Sequence, residues 1–258
     1  MSIFYLIISF CTSLVGAICG IGGGVIIKPT LDFLALADAA TVSFLSGCTV
    51  LAMSAYNVTK GILAKESKVD FATATPLAIG ASVGGVIGKQ MFSYIKASAA
   101  DPAFVGKVQA FCLMCVTIGT LLYMVFRAKI KTNQVKGSMP CAVIGVVLGI
   151  MSSFLGIGGG PINLVVFYYF FSMDTKTAAQ NSLYTILFSQ LTSLITTLVT
   201  HTVPDFDPLA LALMIAGGIT GGMAGRICNK KISSATVDKL FMGLMVVIIA
   251  ISAFNTIR

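Results

Sequence analysis

Gly20-Ile21-Gly22-Gly23-Gly24 interrupts a long apolar run, and 136 positions later the chain repeats it as Gly156-Ile157-Gly158-Gly159-Gly160. Each glycine costs a helix interior about 1 kcal/mol relative to alanine, so three in succession end a regular helix. In lipid, backbone groups released from a helix must find partners in protein or trapped water, so broken backbone there lines a cavity. Matching interruptions in two halves of a membrane chain point to a binding site between them.

The rest of the composition agrees with a bilayer. The chain is 57% hydrophobic and 10% charged, with a mean hydropathy of +0.96, whereas soluble domains carry about a quarter charged residues. Eight stretches run without a charge: 2–27, 39–59, 71–88, 108–126, 137–173, 177–200, 208–225 and 240–257. Each reaches or exceeds roughly the 20 residues that a spanning helix needs. No soluble linker separates them, so residues 1–258 read as one transmembrane domain. The net charge of +8 sits in short connections rather than in a reading surface for nucleic acid, as orientation in a membrane requires. The seven cysteines lie in or beside apolar runs, and Cys112-Leu-Met-Cys115 lacks the second ligand pair of a metal site. They read as small helix residues, with no metal or cofactor implied. The first residues lack the positive start of a cleavable signal.

The repeat extends beyond the glycines. At the same offset Thr41, Ser46, Thr49 and Leu51 fall on Thr177, Ser182, Thr185 and Leu187. With one added residue Gly80, Gly84, Gly85 and Gly88 fall on Gly217, Gly221, Gly222 and Gly225, and Lys89 falls on Arg226. The chain therefore divides into two units, about 1–130 and 131–258, each a glycine-broken element followed by three spans. Stretch 137–173 as one helix would be about 55 Å long at 1.5 Å per residue, far more than a hydrocarbon layer of about 30 Å. It must turn at the glycines, with a returning half-helix starting near Pro161, since proline suits a first turn.

Charge sets the orientation. If each broken element returns as a re-entrant or hairpin pair, each unit crosses an odd number of times and the two units are inverted. Lys60, Lys65 and Lys68, then Arg127 to Lys136, and then Arg226, Lys230 and Lys231 all fall on one side. Asp32, Asp38, Asp205 and Asp207 fall on the other, in keeping with the positive-inside rule. The expected fold is an all-α polytopic membrane protein of two inverted repeats with outward termini.

Helices starting at Gly24 and Gly160 would aim unpaired N–H groups and positive dipole ends at the cavity, which suits an anion. Backbone contacts from Gly22, Gly23, Gly24, Gly158, Gly159 and Gly160 are expected there, because glycine admits a ligand close to the main chain. The following spans add Ser46 and Thr49 in the first unit, and Asn181, Ser182, Thr185 and Gln190 in the second. A polar stripe of this kind faces protein or water rather than lipid. Asn163 follows Pro161 closely, and Lys28 is either an anion-neutralising charge or a side chain that snorkels to the interface. The second unit is richer in amides, so it is expected to carry more of the orienting side chains.

The duplicated glycine elements, the serine- and threonine-bearing spans after them, and the glycine-rich stretches 80–88 and 217–225 resemble the TauE/SafE family of sulfite and organosulfonate exporters. The resemblance covers essentially the whole chain. It implies a secondary transporter of the cytoplasmic membrane that moves a small anion such as sulfite, an organosulfonate or another organic acid by alternating access. An anion channel is the alternative within transport. Oligomeric state stays open, with a homodimer allowed. Gly80-Ala-Ser82-Val-Gly84 also matches a nucleophile pattern, and a membrane-embedded serine enzyme is the reading it would carry. The single histidine, His201, lies at the opposite end of another span, and the repeat places Ile219 opposite Ser82. No catalytic residue is therefore assigned.

Orientation is testable in a protein stripped of native cysteines. Cysteines placed near Asp38 and Asp205 should react with an impermeant thiol reagent added outside, and those near Lys65, Lys131 and Lys230 should be shielded. Labelling of the Lys131 and Asp205 positions from one side would contradict the inverted arrangement.

Overall fold

Both glycine stretches stop a helix. In the computed structural model, which describes residues 2–34, 38–98, 102–155 and 159–257, the first long uncharged run becomes α1 (Ser2–Cys19) and α2 (Gly24–Phe33). The run at 137–173 becomes α6 (Ser138–Phe154) and α7 (Gly160–Phe171). The other six runs are helices long and apolar enough to cross a membrane. They are α3 (Ala39–Leu63), α4 (Phe71–Ser98), α5 (Pro102–Phe126), α8 (Thr175–Val199), α9 (Pro208–Lys231) and α10 (Ser234–Ile257). Carboxylates begin four of them, α4 through Asp70, which accepts from the Ala72 N–H. Asp38 accepts from the Ala40 and Thr41 N–H groups, Asp174 from those of Lys176 and Thr177, and Asp207 from that of Leu209, which satisfies donors that a first turn leaves orphaned.

The short helices fold back on their predecessors. Ile27 and Leu31 of α2 pack with Tyr5 and Ile8 of α1. At the end of α7 the Tyr169 and Phe170 carbonyls accept from the N–H groups of Asn133 and Val135, in the segment just before α6. The α6–α7 pair thus returns to the end from which it left. Helix packing keeps its pattern when α1–α5 are exchanged for α6–α10: α1 lies on α9 as α6 lies on α4, α3 on α9 as α8 on α4, and α2 on α3 as α7 on α8. The pairs α3·α8 and α5·α10 map onto themselves under this exchange.

Polarity runs inside out. Ser9, Ser13, Thr49, Ser54, Asn181, Ser182 and Thr185 are wholly buried, while Ile79, Val83, Phe111, Leu122, Ile195 and Val246 face outward. An outward apolar surface of this extent belongs in lipid, and the chain is a multi-pass membrane protein. At one end Arg127 pairs with Asp238 at 3.2 Å, Thr175 donates to the same carboxylate at 2.9 Å, and the guanidinium lies 4.7 Å from the centre of the Tyr168 ring. This cluster ties α7, α8 and α10 to the turn after α5.

Small residues set how closely the hairpins approach. A Cβ added at Gly80, Gly84 or Gly88 would strike the Ala142, Val146 or Ile150 carbonyl of α6, and one at Gly217, Gly221 or Gly225 would strike the Leu6, Phe10 or Leu14 carbonyl of α1. The four-residue spacing makes one flat face on α4 and one on α9. Gly84→Ala and Gly221→Ala should each lower the melting temperature, overpacking costing about 1–3 kcal/mol. Gly106→Ala and Gly243→Ala, where the added methyl would meet no described atom beyond its own stretch of helix within 4 Å, should be neutral or stabilising. Thermal melts of the four purified variants check this.

Candidate anion site at the glycine loops

The first turns of α2 and α7 abut. A Cβ at Gly160 would collide with Val25 Cγ2 and lie 2.8 Å from the Ile21 carbonyl oxygen. Only glycine fits that approach. The loops need left-handed backbone as well: φ is +77° at Gly20, +69° at Gly22 and +103° at Gly159, a region that a side chain disfavours. Ile26 and Ile27 N–H reach the Gly23 carbonyl, and Asn163 N–H reaches that of Gly159. Gly159, as the N-cap of α7, has no side chain with which to cap it. Two helix N-termini, each carrying a partial positive charge, therefore converge on one place.

Polar side chains surround the junction. Ser13 Oγ lies 3.1 Å from a Cβ built on Gly23, Ser46 Oγ 3.5 Å from one on Gly24, and the Asn163 amide nitrogen 3.0 Å from one on Gly159. A Cβ built on Gly20 would strike Ala179, and one built on Gly22 would lie 3.3 Å from Ile186 Cδ1. Ser182 shares that face of α8, three residues after Ala179 and four before Ile186. The Ser13 and Ser182 hydroxyls and both ends of the Asn163 amide are buried without a hydrogen-bond partner among the described residues. Buried polar atoms are paired in the great majority of folded proteins, so such a cluster is a site wanting a ligand or water.

A cavity of about 330 Å³ opens at one end of the bundle. Its apolar end includes Ala17 and Ala179, and Ala179 is also the residue on which Gly20 rests, so the cavity stops against the first glycine loop. Its mouth carries Lys68, Lys176, Arg226 and Lys230, with Asn57 and Gln180 between them. Glu66 accepts from Arg226 Nη2 at 2.7 Å and from Lys230 Nζ through the same oxygen. The hydrogen bonds from Lys230 and then Arg226 hold its carboxyl below the ordinary glutamate range.

The sulfite exporter TauE/SafE family model matches residues 5–252. The chain belongs to the TauE/SafE family. Its members are membrane transporters of sulfite and other anions. Neither a curated protein nor a solved structure matches the chain.

Within this TauE/SafE chain the glycine junction brings together Gly22, Gly23, Gly24, Ser46, Gly159, Gly160, Asn163 and Ser182 from the sequence-derived set. Gly158 lies outside the described residues. Lys28 is half-buried on α2, one turn past the loop. Thr49 and Thr185 spend their hydroxyl protons on the Leu45 and Asn181 carbonyls of their own helices, at 2.8 and 3.0 Å. Gln190 lies beside Gly47 where α8 meets α3, 3.3 Å from a Cβ built there. Asn181 is engaged at both ends: its oxygen accepts from Asp70 N–H at 3.0 Å and its nitrogen donates to the Lys68 and Thr177 carbonyls. Ser82 Oγ is buried with no partner among the described residues, and His201 is exposed beyond α8, so no base is seated on that serine.

Sequence reading passed over Ser13 and the cationic mouth. Ser13 has no marker beyond its position on α1 opposite the glycines. The four cations come from three elements, the α3–α4 connection, α8 and α9, with Lys68, Arg226 and Lys230 reading in sequence only as orientation signals. Asn181 generates a prediction. Asn181→Ala removes the acceptor of Asp70 N–H and the donor to Lys68, so the melting temperature should fall, each lost buried bond costing about 1–3 kcal/mol. Limited proteolysis within 66–70 should accelerate. Unchanged proteolysis would mean that Asn181 does not restrain this connection.

Proposed function

We propose that this protein is a secondary transporter of the cytoplasmic membrane that carries a small oxyanion, namely sulfite, an organosulfonate or a related organic acid, by alternating access. One observation carries the reading: two helix N-termini meet at Gly160, Ile21 and Val25, with the unpaired donors of Ser13, Asn163 and Ser182 around them. An anion there would accept hydrogen bonds from the backbone and from those side chains. Gly22 to Gly24, Gly159, Gly160 and Ser46 complete the cradle. Thr49, Thr185, Asn181 and Gln190 stand behind it and position α3 and α8, and Lys28 supplies a cation on the side of α2.

The proposed repeats, about 1–130 and 131–258 in a single domain, are supported by the packing that survives their exchange. Returning short helices give each unit an odd number of crossings, which favours inversion. At 1.5 Å per residue α2 is about 15 Å long and α7 about 18 Å. Placed end to end from opposite sides they match a hydrocarbon layer of about 30 Å, which sets the junction near its middle. A pair of inverted units around a fixed central site is the architecture that rocks between two faces.

Purified protein in liposomes should show saturable uptake of radiolabelled sulfite or a sulfonate. Ser182→Ala and Asn163→Ala make the sharper test, because binding and packing roles predict opposite signs. A buried unpaired polar group costs about 1–3 kcal/mol, so each variant should melt at the same or a higher temperature without ligand. Each should bind the anion about ten- to a hundredfold more weakly, as expected for losing about 1.5–3 kcal/mol of hydrogen bonding to a charge. Loss of stability with unchanged binding would make both residues packing elements.

A further inference from the structure

The mouth of the cavity holds chemistry that the glycine junction does not use. Four cations, Lys68, Lys176, Arg226 and Lys230, line a space of about 330 Å³ with one carboxylate, Glu66, among them. Arg226 donates to the Asn57 carbonyl through Nη1 at 3.4 Å and to Glu66 through Nη2, so it is braced against α3. Glu66 serves both Arg226 and Lys230 with a single oxygen. That is poor use of a guanidinium, whose planar fork suits two oxygens at once. We infer that this mouth is a second binding site for the small oxyanion, a staging site ahead of the glycine junction, and that Glu66 occupies it as a tethered competitor. The inference rests on the transport reading above and adds to it a site and a residue.

The geometry lets the carboxylate yield. Residues 66–70 form an irregular connection between α3 and α4. It is pinned by its main chain: Glu66 N–H to the Gly61 carbonyl at 3.1 Å, Lys68 N–H to Gln180 Oε1 at 2.7 Å and Asp70 N–H to Asn181 Oδ1 at 3.0 Å. The Glu66 side chain is 43% exposed and that of Lys230 50% exposed. The Lys230 pair, this open to water, is weak and screened by salt, whereas the Arg226 side chain is 16% exposed. Glu66 itself faces solvent, so a free anion competes with it for these cations while the connection stays in place. Lys68 also faces Asp174, but that carboxylate is committed to the first turn of α8 through Lys176 and Thr177. A displaced Glu66 leaves an oxyanion with the Arg226 fork, the Lys230 ammonium and the Gln180 amide. Ala179 then connects this position to Gly20 and the junction.

Methanesulfonate, an unreactive small oxyanion, is the probe. Calorimetric titration of full-length protein in low-chloride buffer should show about tenfold tighter binding to E66Q than to wild type, and adding K230Q to E66Q should abolish that gain. Equal affinity of wild type and E66Q overturns the inference. A measurement on the wild type needs no variant to fold: methanesulfonate should slow amine acylation of Lys68, Lys176 and Lys230 and leave Lys107 and Lys239 unchanged. Uniform rates overturn the inference, as does protection by anionic phospholipid in nanodiscs with none from methanesulfonate, which would make the mouth a headgroup site. The two readings fail separately. Tighter E66Q binding without uptake into liposomes removes the transport reading alone, and uptake with equal affinities removes the staging site alone.

Discussion

A helix that stops inside a bilayer leaves N–H groups that no water is present to satisfy. This chain stops two helices at one place, and the rest of the fold can be understood as compensation for it. α2 and α7 start from glycine loops whose backbones touch at Gly160 and Ile21. The touching backbones bury the breaks in protein, and the longer helices shield them from lipid. Two positive helix ends placed together repel each other, and the nearby serines and the Asn163 amide do not neutralise them. On the transport reading an anion shared between them would offset that repulsion, so the structural constraint and the proposed ligand are two aspects of one electrostatic problem.

Holding the junction requires hairpins that cannot drift. The glycine faces of α4 and α9 meet this need by bringing backbone against backbone along α6 and α1, with Gly145 and Gly149 of α6 returning the contact to the Leu77 and Ala81 carbonyls. Contacts this close admit Cα–H···O interactions and leave no room for side chains to slip. The long helices α3 and α8 then pack on α9 and α4 and on each other, which carries Ser46 and the face of α8 that holds Ser182 to the first loop. Loop position therefore depends on glycines twenty or more residues distant in the chain.

Much of this was legible in the sequence, because lipid restricts the alternatives. Charge-free stretches located the helices, the length of 137–173 required a turn, and Pro161 marked the start of α7 within a residue. The glycines at four-residue steps announced flat packing faces. Other features required the fold. Asn181 and Ser182 are neighbours in one polar stripe, yet a turn of 100° per residue separates their directions: Asn181 is drawn to the 66–70 connection, and Ser182 shares the face that meets the first loop. Composition cannot distinguish them. Thr49 and Thr185 look like ligands in sequence but satisfy their own helices, as threonine commonly does when no stronger acceptor is near. The cationic mouth was hidden because Lys68, Lys176 and Arg226 belong to three different elements that only packing unites.

On the alternating-access reading, duplication lets two faces open onto one site, and divergence lets them bind unequally. Lys89 and Arg226 occupy equivalent places in the two units, yet Arg226 joins Glu66 and Lys230 at a charged mouth while Lys89 donates to the Thr197 hydroxyl at 3.0 Å. A ligand shifts a conformational equilibrium only by its difference in affinity for the two states. On the alternating-access reading, similar backbones give two states of comparable packing, and the side chains at the two ends supply the difference for the anion. The Arg226 end offers four cations against one carboxylate, whereas the Lys89 contact is a single ammonium on a neutral hydroxyl. Any bias between the two faces should therefore depend on ionic strength, because Lys230 and Glu66 of the Arg226 cluster are open to solvent and the cluster's attraction for an anion weakens as salt shortens the Debye length.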